Sequence, residues 1–181
     1  MNTSEKLAIG WSAACIAFYG TITWSVWNGC KWAQKKGTIE PLIGGKKLCK
    51  MPECFRTKVV RFILGPAFAC PDHDTAYIND DVPLGLIFHE EGHLVWPAAK
   101  PPKKRFCRYD HFSRKGVRYE RQADRYAIDK LMSNPEWDIG EVGKMYEYLG
   151  KYKFEGTDIQ YRLDLIKRYM RMKYHVDIVT L

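Results

Sequence analysis

Residues 88–94 constrain the fold of this chain more than any other stretch, because they place two histidines four positions apart inside an apolar segment. On an α-helix, residues at this spacing lie one turn apart on the same face, so His89 and His93 project side by side. Two such imidazoles can both bind one tetrahedral Zn²⁺ at about 2.0–2.1 Å. Glu90 lies about 100° around the helix from His89, where it can polarise a metal-bound water without being a ligand.

The residues around this stretch support a helix. Asp80 and Asp81 are suitable N-cap residues, and Pro83 suits the first turn. Pro97 cannot continue a helix and predicts its end. Gly92 costs roughly 1 kcal/mol relative to alanine in a helix interior, a cost that is explained if another backbone passes close by. The alternative is an ordinary core helix that happens to carry two histidines.

A second helical pattern covers residues 117–132 and carries two acids on its inward face. The apolar residues of that face are Ala123, Ala127 and Leu131. Glu120 and Asp124 share the face, and a buried carboxylate is costly unless a cation or a donor compensates it. A zinc ion and a ligating histidine would supply both, so we expect Glu120 to be the third ligand and Asp124 to orient an imidazole. The alternative is a solvated acidic pair between Arg121 and Arg125.

Together, the two motifs resemble those of the gluzincin zinc peptidases. The chain reads His-Glu-Glu-Gly-His at 89–93 and Glu-Arg-Gln-Ala-Asp-Arg-Tyr-Ala at 120–127. It is similar both to the ImmA/IrrE-like peptidases and to the membrane-associated type of the CAAX prenyl proteases and heat-shock proteases. The resemblance covers about residues 75–170. It implies an α+β, zincin-like minimal metallopeptidase domain with a small sheet, the HExxH helix and C-terminal helices.

The resemblance also implies a set of functional residues. His89, His93 and Glu120 would hold one catalytic Zn²⁺. Glu90 would be the general base, and Asp124 would be the acid that supports the metal site.

Three further segments are interpreted through the resemblance. Residues 161–166 are similar to the Arg-Leu/Ile helix that closes the domain in both branches. The CAAX type usually carries His-Pro before that helix, where this chain has Gly-Thr-Asp at 156–158, so the oxyanion-stabilising residue is unassigned. In this group an edge strand before the metal helix pairs with extended substrate through its backbone, which would give that role to residues 75–79.

Strand and helix patterns cover much of the remaining chain. Residues 57–64 are rich in β-branched and apolar residues and precede Gly-Pro, which predicts a strand, and residues 75–79 predict another. Possible capping pairs at 134–135 and 157–158 predict two more helices. Their apolar stripes would be Ile139, Val142, Met145 and Leu149 in the first, and Ile159, Leu163, Ile166 and Met170 in the second.

The N-terminal segment is free of charge over residues 7–28. As a helix it is long enough to cross a hydrocarbon core of about 30 Å, so we expect a single transmembrane helix in contact with lipid. More lysines follow the segment than precede it, which places the C-terminal part in the cytoplasm. Residues 1–36 would then be the anchor with its basic flank, and residues 37–181 the metallopeptidase domain. A cleaved signal peptide and a buried soluble helix are the alternatives.

Two other features have more than one interpretation. Four residues have spacings compatible with a second, structural zinc site: Cys49, Cys54, Cys70 and His73. The alternative is reduced thiols in a cytoplasmic domain. The loop at 97–116 is strongly basic. Its charge would select acidic substrates or contact the membrane, and the alternative is a loop that is simply solvated. Tyr109 and His111 in this loop are weak candidates for oxyanion donors.

These interpretations lead us to expect a membrane-anchored zinc metalloendopeptidase. Glu90 would accept a proton from a water activated by zinc and pass it to the leaving amine. The expected partners are a peptide or protein substrate and the lipid membrane. A non-catalytic zinc-binding regulatory or interaction module at the membrane would use the same ligands and is the alternative. The net charge of +8 would also suit a nucleic acid, but the chain lacks an interleaved aromatic–basic motif, so we expect no such partner.

Overall fold

The fold is described by a computed structural model for residues 3–70, 73–79, 81–99, 114–134, 139–151 and 158–178. The described helices are α1 (Thr3–Lys36), α2 (Phe55–Leu64), α3 (Leu84–Val95), α4 (Arg114–Ser133), α5 (Ile139–Lys151) and α6 (Asp158–Tyr174). The described strands are β1 (Thr38–Pro41), β2 (Lys47–Lys50), β3 (Ala67–Cys70) and β4 (Thr75–Ile78), and a 3₁₀ turn covers Ile43–Gly45. The α+β class predicted from the sequence is confirmed.

The four strands form one small mixed sheet in the order β1-β2-β4-β3. β1 is antiparallel to β2, β2 is parallel to β4, and β4 is antiparallel to β3. Side chains alternate between the two faces of a strand, so β2, β3 and β4 each contribute to two different cores.

One face of the sheet packs against α3. Leu48, Ala76 and Ile78 are buried on this face and belong to the larger core. The helices complete that core with residues such as Leu86, Ile128, Met145, Ile166 and Met170. α3 therefore lies directly on a buried sheet and is covered from outside by α4 and α5, which fixes its position.

The opposite face of the sheet packs against the C-terminal half of α1. Cys49 and Tyr77 face each other across the β2–β4 pairing and meet Val26 and Cys30 of the helix in a second core. All four side chains are completely buried. The last turns of α1 are therefore part of the packing of the domain.

The strand predicted at residues 57–64 is wrong, because this segment forms helix α2. Thr57 and Val60 are buried and Leu64 is partly buried, which is the i, i+3, i+7 spacing of a helix face. A Cβ at Gly29 of α1 would lie only 2.3 Å from a methyl group of Val60. Close packing between α1 and α2 thus stabilises a helix in a sequence whose local preference is for a strand.

The second predicted strand is confirmed as β4, but the edge position expected for residues 75–79 is wrong. β4 is paired on both sides, with β2 and with β3. Its backbone donors and acceptors are therefore engaged within the sheet. Within the described residues, β1 and β3 are the edge strands.

The four helices predicted after β4, which are α3, α4, α5 and α6, all form. α3 begins at Leu84 and ends at Val95, before Pro97, and α4 spans the predicted 117–132. The cap of α3 differs from the prediction, since Pro83 occupies the N-cap without a side-chain hydrogen bond and Asp81 lies in the preceding turn. α5 and α6 bury their predicted stripes, except that Ile139 is exposed and Ile159 is only partly buried.

Several predictions fall wholly or partly on residues outside the described ranges. These are the cap at Asp80, the helix-capping residues Pro135 and Thr157, most of the basic loop at 97–116, and Tyr109 and His111. Among the described residues, no helix combines the length and the apolar character needed to cross a membrane. The transmembrane helix expected at residues 7–28 is therefore not confirmed.

Candidate metal centre

Helix α3 carries the HExxH sequence with its polar side chains buried. His89 is 3%, His93 is 6% and Glu90 is 7% exposed. Leu86 and Leu94 on the same helix lie in the larger core, which holds the helix against the sheet. Buried polar groups need partners, so the partners of these side chains define the site.

Helix α4 provides those partners because it crosses α3 at very short range. A Cβ at Gly92 would lie 3.1 Å from Cδ1 of Tyr126 and 3.3 Å from Cα of Ala123. A glycine in α3 opposite an alanine in α4 thus lets the two backbones meet. The close approach predicted from Gly92 is confirmed, and it brings Glu120 within reach of the histidines.

Potential ligand atoms of three residues converge between the two helices, and one atom from each residue lies within 4.8 Å of the other two. His89 Nε2 lies 3.2 Å from His93 Nε2 and 3.1 Å from Glu120 Oε2, and His93 Nε2 lies 3.3 Å from Glu120 Oε1. Ligands about 2.05 Å from a tetrahedral zinc ion lie about 3.3 Å from one another. The two histidines approach different oxygens of Glu120 at about this distance. The three residues predicted as ligands are therefore close enough together to hold one metal ion. In the described ranges, no other group of three potential ligands is this close.

The second nitrogen of each imidazole lies beside an acceptor that orients the ring. His93 Nδ1 lies 2.9 Å from the carbonyl oxygen of Ala99, which requires the proton on Nδ1 and leaves Nε2 for a metal. His89 Nδ1 lies 2.8 Å from Asp124 Oδ1, although its N–H is not aligned for a full hydrogen bond. Asp124 thus has the position expected of it. Ala99 could not be identified from the sequence, because a backbone carbonyl has no residue signature.

Arg162 of α6 is a further residue of the site that the sequence motifs did not reveal. Its Nη2 and Nε donate to Asp124 at 2.7 and 3.1 Å, and its Nη1 lies 3.2 Å from Glu120 Oε2. One guanidinium therefore holds both acids of α4. The available signal was the similarity of residues 161–166 to the closing helix of the gluzincins, which marked the segment but not the contact.

The charges around His89 favour a cation at this point. Burial by itself lowers the pKa of His89, but the carboxylates of Asp124 and Glu120 raise it to about 10. Burial likewise raises the pKa of Asp124, but Arg162 and His89 together bring it below its ordinary value. Surroundings that stabilise a protonated imidazole also favour a divalent cation, whose binding displaces that proton.

The second zinc site considered at the cysteines is not formed. Cys49 and Cys70 are buried in the core beneath α1, Cys54 precedes α2, and none of the three is in a disulfide bond. Together with His73 they do not make a group of close ligand atoms in the described part of the chain. The reduced thiols given as the alternative agree with this arrangement.

No protein-family model, curated protein or solved structure matches this chain. The case for a function therefore rests on the site itself.

Proposed function

We propose that this protein is a zinc-dependent metallopeptidase with a zincin-like arrangement, in which His89, His93 and Glu120 hold one Zn²⁺. The observation that carries the proposal is that these three buried residues bring one ligand atom each to within 4.8 Å of one another, with the buried Glu90 next to His89 in α3. Structural zinc sites usually have four protein ligands, whereas catalytic sites have three and keep a position open. The cluster within the described residues has three members, which supports a catalytic site.

The residues of the site fit the hydrolysis of a peptide bond. When bound, Zn²⁺ lowers the pKa of a coordinated water toward about 7 and polarises a carbonyl. Glu90 accepts the proton of the attacking water on its carboxylate and passes it to the leaving amine. Asp124 and the Ala99 carbonyl hold the imidazoles with Nε2 toward the cluster. Arg162 holds the carboxylates of Glu120 and Asp124.

The testing experiment separates metal binding from hydrolysis. The purified full chain is analysed for zinc and incubated with a library of unstructured peptides, with and without a chelator. Wild type is expected to contain about one zinc and to cleave peptides only without chelator. Glu90→Gln keeps its zinc and loses about 10²–10⁴-fold in rate, because the general base is removed. Glu120→Gln loses zinc.

A matched control is Glu141→Gln, which neutralises an acid of α5 that pairs with Lys144 away from the site. This variant should retain both zinc and activity. Equal turnover of Glu90→Gln and wild type would remove Glu90 from the mechanism. Absence of zinc from the wild-type protein would refute the metal centre.

The alternative function is a non-catalytic zinc module that regulates or binds another protein. The observation in its favour is the depth of the site, since both histidines and Glu120 are at most 7% exposed. Burial of this kind is common for zinc that holds a fold together. Zinc content without cleavage of any peptide in the library would favour this alternative.

We propose β3 as the strand that pairs with an extended peptide substrate. Among the described residues β3 pairs with β4 alone and so has an unpaired side. Its residues Ala67 and Ala69 pack against the core that contains α3. Backbone pairing at such an edge gives affinity with little dependence on sequence. A proline at the substrate position that pairs with β3 should therefore block cleavage.

The N-terminal part of α1 is proposed as a membrane attachment, with the metallopeptidase domain in the cytoplasm. It carries no charge over residues 7–28, and Phe18 and Trp24 are 64% and 68% exposed. Exposed aromatic residues of this kind favour the membrane interface. The basic residues Lys35 and Lys36 in the last turn of the helix suit anionic headgroups. Flotation of the full chain with anionic vesicles tests this, and loss of flotation in Phe18→Ser/Trp24→Ser would support it.

A further inference from the structure

The HExxH helix carries a buried acid that the proposed chemistry does not use. Glu91 is completely buried and forms an ion pair with Lys130 of α4. Lys130 Nζ also lies 4.2 Å from the ring centre of Phe88. Within the described residues, the second carboxylate oxygen of Glu91 has no hydrogen-bond partner. Lys130 is therefore the group that compensates this buried charge.

The ion pair and the metal ligands lie on opposite sides of the same helix contact. Gly92 is a point of close approach between α3 and α4. On the helix, Glu91 lies on one side of Gly92 and the two histidines lie on the other. Their partners are both on α4: Lys130 pairs with Glu91, and Glu120 approaches the two histidines. A change in the separation of the two helices at Glu91 must therefore alter the distance between the histidines and Glu120.

We propose that Glu91 and Lys130 are positioning residues that set the separation of α3 and α4 and thereby the geometry of the metal centre. This inference rests on the metal site of the proposed function. Removal of Lys130 leaves a buried carboxylate without a cation, which is strongly unfavourable. The helices then separate to admit water to Glu91. Removal of both charges takes away most of the reason for that separation, because a buried neutral amide costs far less to desolvate than a buried carboxylate without a cation.

The test measures metal affinity in a charge cycle. Zinc affinity is determined by chelator competition, and Co²⁺ is bound in place of zinc to record its visible spectrum. Lys130→Met is expected to weaken zinc binding by about 10–100-fold, as is typical for groups that orient ligands, and to change the Co²⁺ spectrum. Glu91→Gln/Lys130→Met should return the affinity to within about threefold of wild type. Lys130→Arg, which keeps the charge, should retain most of the affinity.

Two control variants separate positioning from general loss of stability. Val60→Ala removes buried methyl groups from the core beneath α1, so it lowers stability without touching the α3–α4 contact. Lys144→Met removes a lysine from an exposed ion pair with Glu141. Both should leave zinc affinity and the Co²⁺ spectrum unchanged. If Lys130→Met does not fold, Lys130→Gln gives the same comparison, since its amide still donates to Glu91.

The results distinguish this inference from the proposed function. If wild type binds zinc and the Lys130 variants bind it equally well with an unchanged Co²⁺ spectrum, the positioning role is overturned and the metal centre stands. The same conclusion follows if the double variant binds as weakly as the single one. If wild type binds neither metal, the metal centre and the positioning role both fail.

Discussion

Replacement of Arg162 by methionine provides the most direct test of how the acids of α4 are held. The guanidinium makes two hydrogen bonds to Asp124 and approaches Glu120, and all three side chains are largely buried. Hydrogen bonds to charged groups each contribute about 1.5–3 kcal/mol. Two of them give about 3–6 kcal/mol, which agrees with the roughly 3–5 kcal/mol lost when one partner of a buried ion pair is removed. We therefore expect Arg162→Met to lower the free energy of unfolding by about 3–5 kcal/mol.

The assay is urea unfolding of the metal-free protein in the presence of a chelator. Asp124→Asn in the Arg162→Met background should cost less than it does in wild type, because the unpaired charge is already the main penalty. Arg168→Met on the same helix is the control, since Arg168 is exposed, and it should change stability by less than about 0.5 kcal/mol. A loss below about 1 kcal/mol for Arg162→Met would refute the view that this contact organises the site.

Two further predictions concern the titrating groups. Because Arg162 and His89 lower the pKa of Asp124 against the effect of burial, its ionised form stabilises the fold above its ordinary pKa of about 3.9. That stabilisation is lost as the pH falls through the lowered pKa of Asp124. For the metal-free protein, Asp124→Asn should therefore make the free energy of unfolding fall less steeply as the pH is lowered into the acid range. An unchanged acid limb would contradict this. At neutral pH, iodoacetamide should modify Cys54 before Cys49. Burial raises the pKa of Cys54, but hydrogen bonds with Thr57 and Arg56 together bring it below its ordinary value, whereas burial raises the pKa of Cys49 to about 11. Mass spectrometry of the first labelled peptide checks the order, and labelling of Cys49 first would count against it.

The parts of the site that lie on helices could be predicted from the sequence, because helical spacing determines which side chains share a face. This applied to His89 and His93 within α3 and to Glu120 and Asp124 within α4. Gly92 additionally indicated that a second backbone would pass close by. These local patterns sufficed to select the residues that meet between the helices.

The contacts that depend on the tertiary fold could not be predicted in the same way. Arg162 reaches Asp124 across 38 positions of sequence, and no periodicity connects them. The place of β4 inside the sheet depends on strand order, which the strand patterns alone did not reveal. Residues 57–64 became a helix because Val60 fits against Gly29, a tertiary contact that outweighs the local preference of β-branched residues for strands.

The packing of α1 has a practical consequence for work with shortened forms of this protein. A chain that starts at residue 37 would lack Val26, Cys30 and Ala33, and it would leave Cys49 and Tyr77 uncovered on one side of the sheet. Apolar patches exposed in this way promote aggregation. A shortened chain that starts near residue 20 would keep the sheet covered and still omit most of the uncharged segment, so it is the better choice for purification and metal analysis.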